Sequence, residues 1–203
     1  MTQRLDEAVA RTRALVSNRA KTGLAHEDAD ADIGTIGSDD ALNFDPRPLL
    51  ASLQRSGVHI VVIGQVAGIL YGSRELTGDL DLLWAGNPDD AEALAAAFSA
   101  AGADLADDQG RSLPCTRESF LLPKVVFRTA HASGDCCTPA LPWGNLPVRD
   151  ILARSTRLRE SDDLEIAVIS RDDLIGMRRA AGRAKDIRRA DELEQLQPDS
   201  SAP

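Results

Sequence analysis

The feature that most constrains this chain is a pair of unlike short runs, VHIVVIG at 58–64 and DLDLLW at 79–84. The first is almost wholly β-branched and apolar, the composition of a strand covered on both faces. The second alternates: Asp79, Asp81 and Leu83 share one face, and Leu80, Leu82 and Trp84 the other. Between them, 66–72 reads as a short helix and 73–78 as a polar loop. Asp45-Pro46 opens a helix that carries Leu49, Leu50 and Leu53 and stops at Gly57. Asn87-Pro88 opens another, Ala-rich and running to Gly102. Further on, strands are expected at 124–130 and 164–169, a helix at 148–157, and irregular chain at 103–123. Ser170 and Asp173 have the spacing of a capping box at the start of a last helical region. Helices and strands in alternation predict an α/β (or α+β) domain rather than a bundle or a sandwich.

Charge divides the chain. Residues 26–45 hold seven acids and no Lys or Arg; outside that stretch 25 acids face 23 bases. A segment this acidic and this poor in apolar residues cannot bury enough surface to offset its ordering entropy, so a flexible linker is expected. The expected organisation is a helix with this acidic disordered linker at 1–43, one domain at 44–197, and a disordered tail at 198–203. The N-terminal helix, with Leu5, Ala8, Val9 and Leu15, is read as an arm of open attachment. Residues 178–189 carry the opposite bias, with six basic residues against Asp186. A phosphate-facing role suits that stretch, and the acidic arm folding over it would gate a site there.

Several functions are disfavoured. Aromatics are only 3% of the residues, too few for a sheet that stacks bases. A net charge of −9 opposes duplex DNA binding. No apolar run is long enough for a membrane span, and the N-terminus lacks the apolar core of a signal peptide. Three cysteines, Cys115, Cys136 and Cys137, form no C-x-x-C pair, and His26, His59 and His131 show no metal-ligand spacing. A cytoplasmic location is expected.

The chemistry-bearing constellation is Gly64-Gln65, thirteen residues, then Asp79-Leu80-Asp81. D-x-D on a strand puts two carboxylates on one face, about 7 Å apart along the backbone. Such hard oxygen donors suit Mg²⁺ or Mn²⁺. A strand-to-helix turn just upstream offers backbone N–H groups to a triphosphate.

On these residues the run 61–84 resembles the nucleotidyltransferase fold of the DNA polymerase β superfamily. More narrowly, it is similar to the small bacterial nucleotidyltransferases grouped with the AbiEii toxin family. The matching positions are Val62, Ile63, Gly64, Ala67, Gly72, Arg74, Thr77, Asp79 and Asp81, and the segment 170–186 resembles a later motif of that family. The similarity spans about 45–196 and implies a small mixed sheet flanked by helices.

It also implies roles. Asp79 and Asp81 hold Mg²⁺, Gly64 and Gln65 hold the phosphates of an NTP, and Arg74 and Thr77 line or brace the loop between them. Arg178, Arg183 and Lys185 lie on the helical region near the site. The implied reaction moves a nucleoside monophosphate from the NTP to a hydroxyl of an RNA end, a protein or a small molecule. In the toxin relatives that role is growth inhibition, with a cognate antitoxin as partner. Three departures stand out: Gln65 replaces Gly or Ser, Arg178 replaces Lys, and Cys137 falls where a third carboxylate is expected, with Asp135 two residues earlier as its substitute. Those departures support an alternative, a catalytically silent nucleotide-binding or partner-binding module.

Overall fold

The computed structural model describes residues 3–24 and 35–196. Eight helices and eight strands are named here in chain order. Helix α1 (Arg4–Val16) and two 3₁₀ turns precede α2 (Arg47–Ser56), β1 (Ile60–Ile63), α3 (Gly64–Leu70) and β2 (Asp81–Trp84). Then follow α4 (Ala91–Ala100), β3 (Asp104–Ala106), β4 (Ser112–Leu113), α5 (Arg117–Phe120), β5 (Lys124–Arg128) and β6 (Ser133–Cys137). The chain closes with α6 (Val148–Ala153), β7 (Thr156–Arg159), β8 (Glu165–Val168), α7 (Arg171–Ala181) and α8 (Ala184–Gln195).

All eight strands form one mixed sheet in the order β4-β3-β5-β6-β2-β1-β8-β7. The architecture is therefore mixed α/β, helices flanking a mixed sheet. β1 is buried at every position and sits centrally, antiparallel to β2 and parallel to β8. β2 in turn runs parallel to β6, and β6 antiparallel to β5. Leu80, Leu82, Leu83 and Trp84 are buried, and the rings of Phe98, Phe120 and Phe127 stack where α4 and α5 meet β5. α2 packs on α4, and α7 on α8.

The chain departs from the expectations in several places: β2 begins only at Asp81, leaving Asp79 in the loop before it, and 133–137 forms a separate strand, β6. Residues 103–123 are not irregular: they form β3, β4 and α5, elements too short to show a period. β7 occupies 156–159, where the helix was expected to end, because its paired partner β8 lies six residues on. The last helical region is two helices, broken at Gly182 in the left-handed conformation.

A further difference concerns the N-terminal arm. α1 is part of the core: Leu5, Ala8, Val9 and Val16 are buried at helical spacing. The buried Glu160 accepts hydrogen bonds from the N–H groups of Leu5 (2.8 Å) and Asp6 (3.1 Å), satisfying two orphan donors at the helix start. Arg4 donates to the Leu70 carbonyl at 2.8 Å and Arg11 to the Arg74 carbonyl at 3.0 Å. What sequence suggested to be an arm is a brace on the loop that leads into Asp79. Of the acidic linker, 25–34 lies outside the described residues, as does the tail at 198–203. The part from 35 to 45 buries Ser38, Ala41 and Phe44, and its Asp40 pairs with Arg128 at 3.0 Å rather than with the basic stretch 178–189. No helix among the described residues is long and apolar enough to cross a membrane.

Candidate functional site

Strand register decides which carboxylates meet. Leu82 pairs with Cys136 and Leu83 with Cys137 between the parallel strands β2 and β6. One step back, Asp81 stands level with Asp135 on the same face, across a strand spacing of about 4.8 Å. Asp79 lies two residues before Asp81, 7% exposed, its N–H donating to Thr77 Oγ1 at 3.2 Å. Asp79, Asp81 and Asp135 all line a cleft of about 570 Å³, within the roughly 300–1,000 Å³ usual for small-molecule sites.

Close packing holds this floor. Gly64 has φ +65°, and a Cβ added there would lie 1.8 Å from Asp81 Oδ2. Only glycine lets the β1–α3 turn pass this close to the carboxylate.

α7, α8 and the residue between them supply more of the lining. Arg183, Lys185, Arg178 and Arg189 line the same cleft, and so does Asp186 of α8, which pairs with Arg183. Ser170 caps α7 as its spacing predicts: its Oγ accepts from the Asp173 N–H at 3.2 Å and donates to Asp173 Oδ2 at 2.6 Å. Arg183 Nε donates to the buried Asp186 at 2.5 Å, which orients the start of α8.

Two of the expected phosphate contacts have their side chains engaged elsewhere. Gln65 is buried; its amide donates to Ser73 Oγ (3.0 Å) and the Glu75 carbonyl (2.8 Å), and its Oε1 accepts from Arg178 (2.7 Å). Arg178 also donates to the Gly64 carbonyl at 3.3 Å and the Arg189 carbonyl at 3.0 Å. Burial, with the nearby charge of Arg189, pushes Arg178 down to about 10 against the pull of Asp186, Glu192 and Glu75. Together these groups lock the loop at 73–75 to α7 and α8, helped by Ser73 Oγ donating to Glu192 at 2.6 Å and Arg189 to Glu75 at 2.7 Å. Arg74 is exposed and does not line the cleft; its N–H donates to Glu192 at 3.1 Å. Thr77 and Lys185 do line it.

Local sequence offered no signal for Lys124 and Asp108. Lys124 pairs with Cys137 across β5 and β6, so it shares the face of Asp135. Its Nζ lies 3.3 Å from Asp135 Oδ2 and 2.9 Å from Asp108 Oδ1. Burial disfavours the ammonium, but the two carboxylates outweigh it and hold Lys124 well above its ordinary value. Cys137 sits two pairs further along β6, level with Leu83, where burial and then Asp135 and Asp81 push its thiol far up. It is a protonated wall residue at neutral pH, and the level beside Asp81 belongs to Asp135. All three cysteines are free.

The donor set suits a hard divalent cation. Among the described residues no three Asp, Glu, His or Cys side chains converge on a single point. No protein-family model matches the chain, and no curated protein matches it.

Proposed function

We propose that this protein is a Mg²⁺-dependent nucleotidyltransferase with the nucleotidyltransferase fold of the DNA polymerase β superfamily. One observation carries the reading: Asp81 on β2 and Asp135 on the neighbouring parallel strand β6, with Asp79 in the loop just before β2, line one cleft together with Arg183 and Lys185. Cation-binding oxygens opposite fixed positive charge are what a metal-bound triphosphate requires. Asp79 and Asp81 would hold the metal, whose charge would stabilise the phosphoryl group in transfer. Arg183 and Lys185 reach the triphosphate from α8. The acceptor hydroxyl oxygen attacks the α-phosphorus, the bond to the bridging oxygen breaks, and pyrophosphate leaves. Asp135, on the acceptor side, takes the hydroxyl proton and passes it to water.

The acceptor is an RNA end, a protein hydroxyl or a small molecule, and a toxin-type role follows if it is an RNA or protein needed for growth. A second reading, a nucleotide-binding module without turnover, draws on the ammonium of Lys124 at Asp135 and on the engaged amide of Gln65.

The test incubates the protein with each labelled NTP, Mg²⁺ and total RNA, beside Asp79→Asn and Asp81→Asn. Label on RNA or protein that drops roughly 100-fold or more in both variants supports transfer. A metal contributes several kcal/mol to such a step, and about 1.4 kcal/mol is tenfold in rate. Mg-NTP binding without pyrophosphate release favours the second reading, and neither binding nor release refutes both.

A further inference from the structure

Asp135 has a cationic neighbour on one side and a carboxylate on the other. Towards β2 it is level with Asp81; from β5 it is reached by Lys124, which stands two residue pairs along the ladder. The ammonium stands between Asp135 (3.3 Å) and Asp108 (2.9 Å), with the lysine side chain 23% exposed. The β5–β6 ladder already pairs five residues through its backbone, so strand pairing does not require this contact.

Resting on the transferase reading above, we propose that Lys124 is a resident cation of the cleft. Its ammonium takes the place at Asp135 that a second divalent ion fills in a two-ion transfer site, and the chain loads a single divalent ion at Asp79 and Asp81. An ammonium has three N–H donors. Two face Asp135 and Asp108, and the third is left for the oxygen of the acceptor hydroxyl.

The experiment titrates Mn²⁺ alone into the full-length protein and counts bound ions from the loss of the free-ion electron paramagnetic resonance signal. Wild type is expected to bind one Mn²⁺ per chain, and Asp79→Asn/Asp81→Asn none. Lys124→Ala is expected to bind two, the second within about tenfold of the first in affinity, and Lys124→Arg, which restores the charge, one again. If Lys124→Ala does not fold, Lys124→Gln carries the same expectation, because its stem still covers β6. Two ions in wild type, or one in both neutral variants, would overturn the proposal while leaving the transferase reading in place. No Mn²⁺ bound by wild type would overturn this proposal, while the transferase reading stands or falls with Mg-NTP binding and pyrophosphate release.

Discussion

Replacing Gly64 by alanine probes the contact on which the floor of the cleft depends. Two penalties combine. Gly64 has φ +65°, and holding an alanine in that left-handed region costs about 1–2 kcal/mol. The new Cβ would also meet Asp81 Oδ2 at 1.8 Å and Cγ at 2.7 Å, so the carboxylate must swing aside. A side chain forced about 30° from its rotamer costs on the order of 0.5–1.5 kcal/mol. The sum is roughly 1.5–3.5 kcal/mol. Gly57 separates the two parts: its φ is +74°, and an added Cβ would meet nothing within 4 Å. Gly57→Ala should therefore show the backbone penalty alone. Urea unfolding of both variants gives the difference, expected at roughly 0.5–1.5 kcal/mol. Mn²⁺ affinity is the second readout: it should fall at least tenfold in Gly64→Ala and stay at the wild-type value in Gly57→Ala. Asp81→Ala removes the colliding oxygen, so Gly64→Ala/Asp81→Ala should be less destabilised than the two single changes added together. Equal costs at the two glycines, with Mn²⁺ affinity unchanged, would refute the placement of Asp81 against the β1–α3 turn.

Three further outcomes are expected. Leu5→Ala, at a fully buried position of α1, should cost about 2–5 kcal/mol in urea unfolding; a change within about 0.5 kcal/mol would restore the arm. Gln65→Ala should destabilise by about 1–3 kcal/mol, because Arg178, Ser73 and the Glu75 carbonyl lose a buried partner; unchanged stability with weakened NTP binding would instead make Gln65 a phosphate contact. Asp173 is held below its ordinary value of 3.8 by the hydrogen bond from Arg154, against the cost of burial, and Asp45 is lowered by Arg47, which outweighs burial. Carboxylates lowered in the folded state stabilise fully above that ordinary value and lose the effect as pH falls through the folded one. Stability should therefore drop on acidification below about pH 4, and less steeply in Asp173→Asn, as followed by thermal unfolding between pH 2 and 6.

The elements with long or unmistakable patterns were legible. The β-branched run became β1, the alternating run became β2, and Ser170 and Asp173 cap α7 at the spacing they carry. Three-residue β3, two-residue β4 and one-turn α5 were not, since a hydrophobic period needs more residues than they have. Asp81 could be placed on its strand face because alternation is a local property, whereas Asp79, expected on the same strand, falls in the loop before β2, its N–H bonded to Thr77. Asp135 could be named but not ranked against Cys137, because that choice depends on how β6 is shifted against β2.

What sequence alone determined is the class of fold and the strand that carries Asp81, both consequences of side-chain periodicity along a single strand or helix. The tertiary structure decided the rest. It set Asp135 level with Asp81, brought Lys124 of the adjacent strand β5 to Asp135, turned Gln65 and Arg178 inward to hold a loop, and buried α1 in the core. The physical reason is one of range. Periodicity and capping act over a few residues of chain, whereas register, ion pairing and close packing join residues that only the closed sheet brings together.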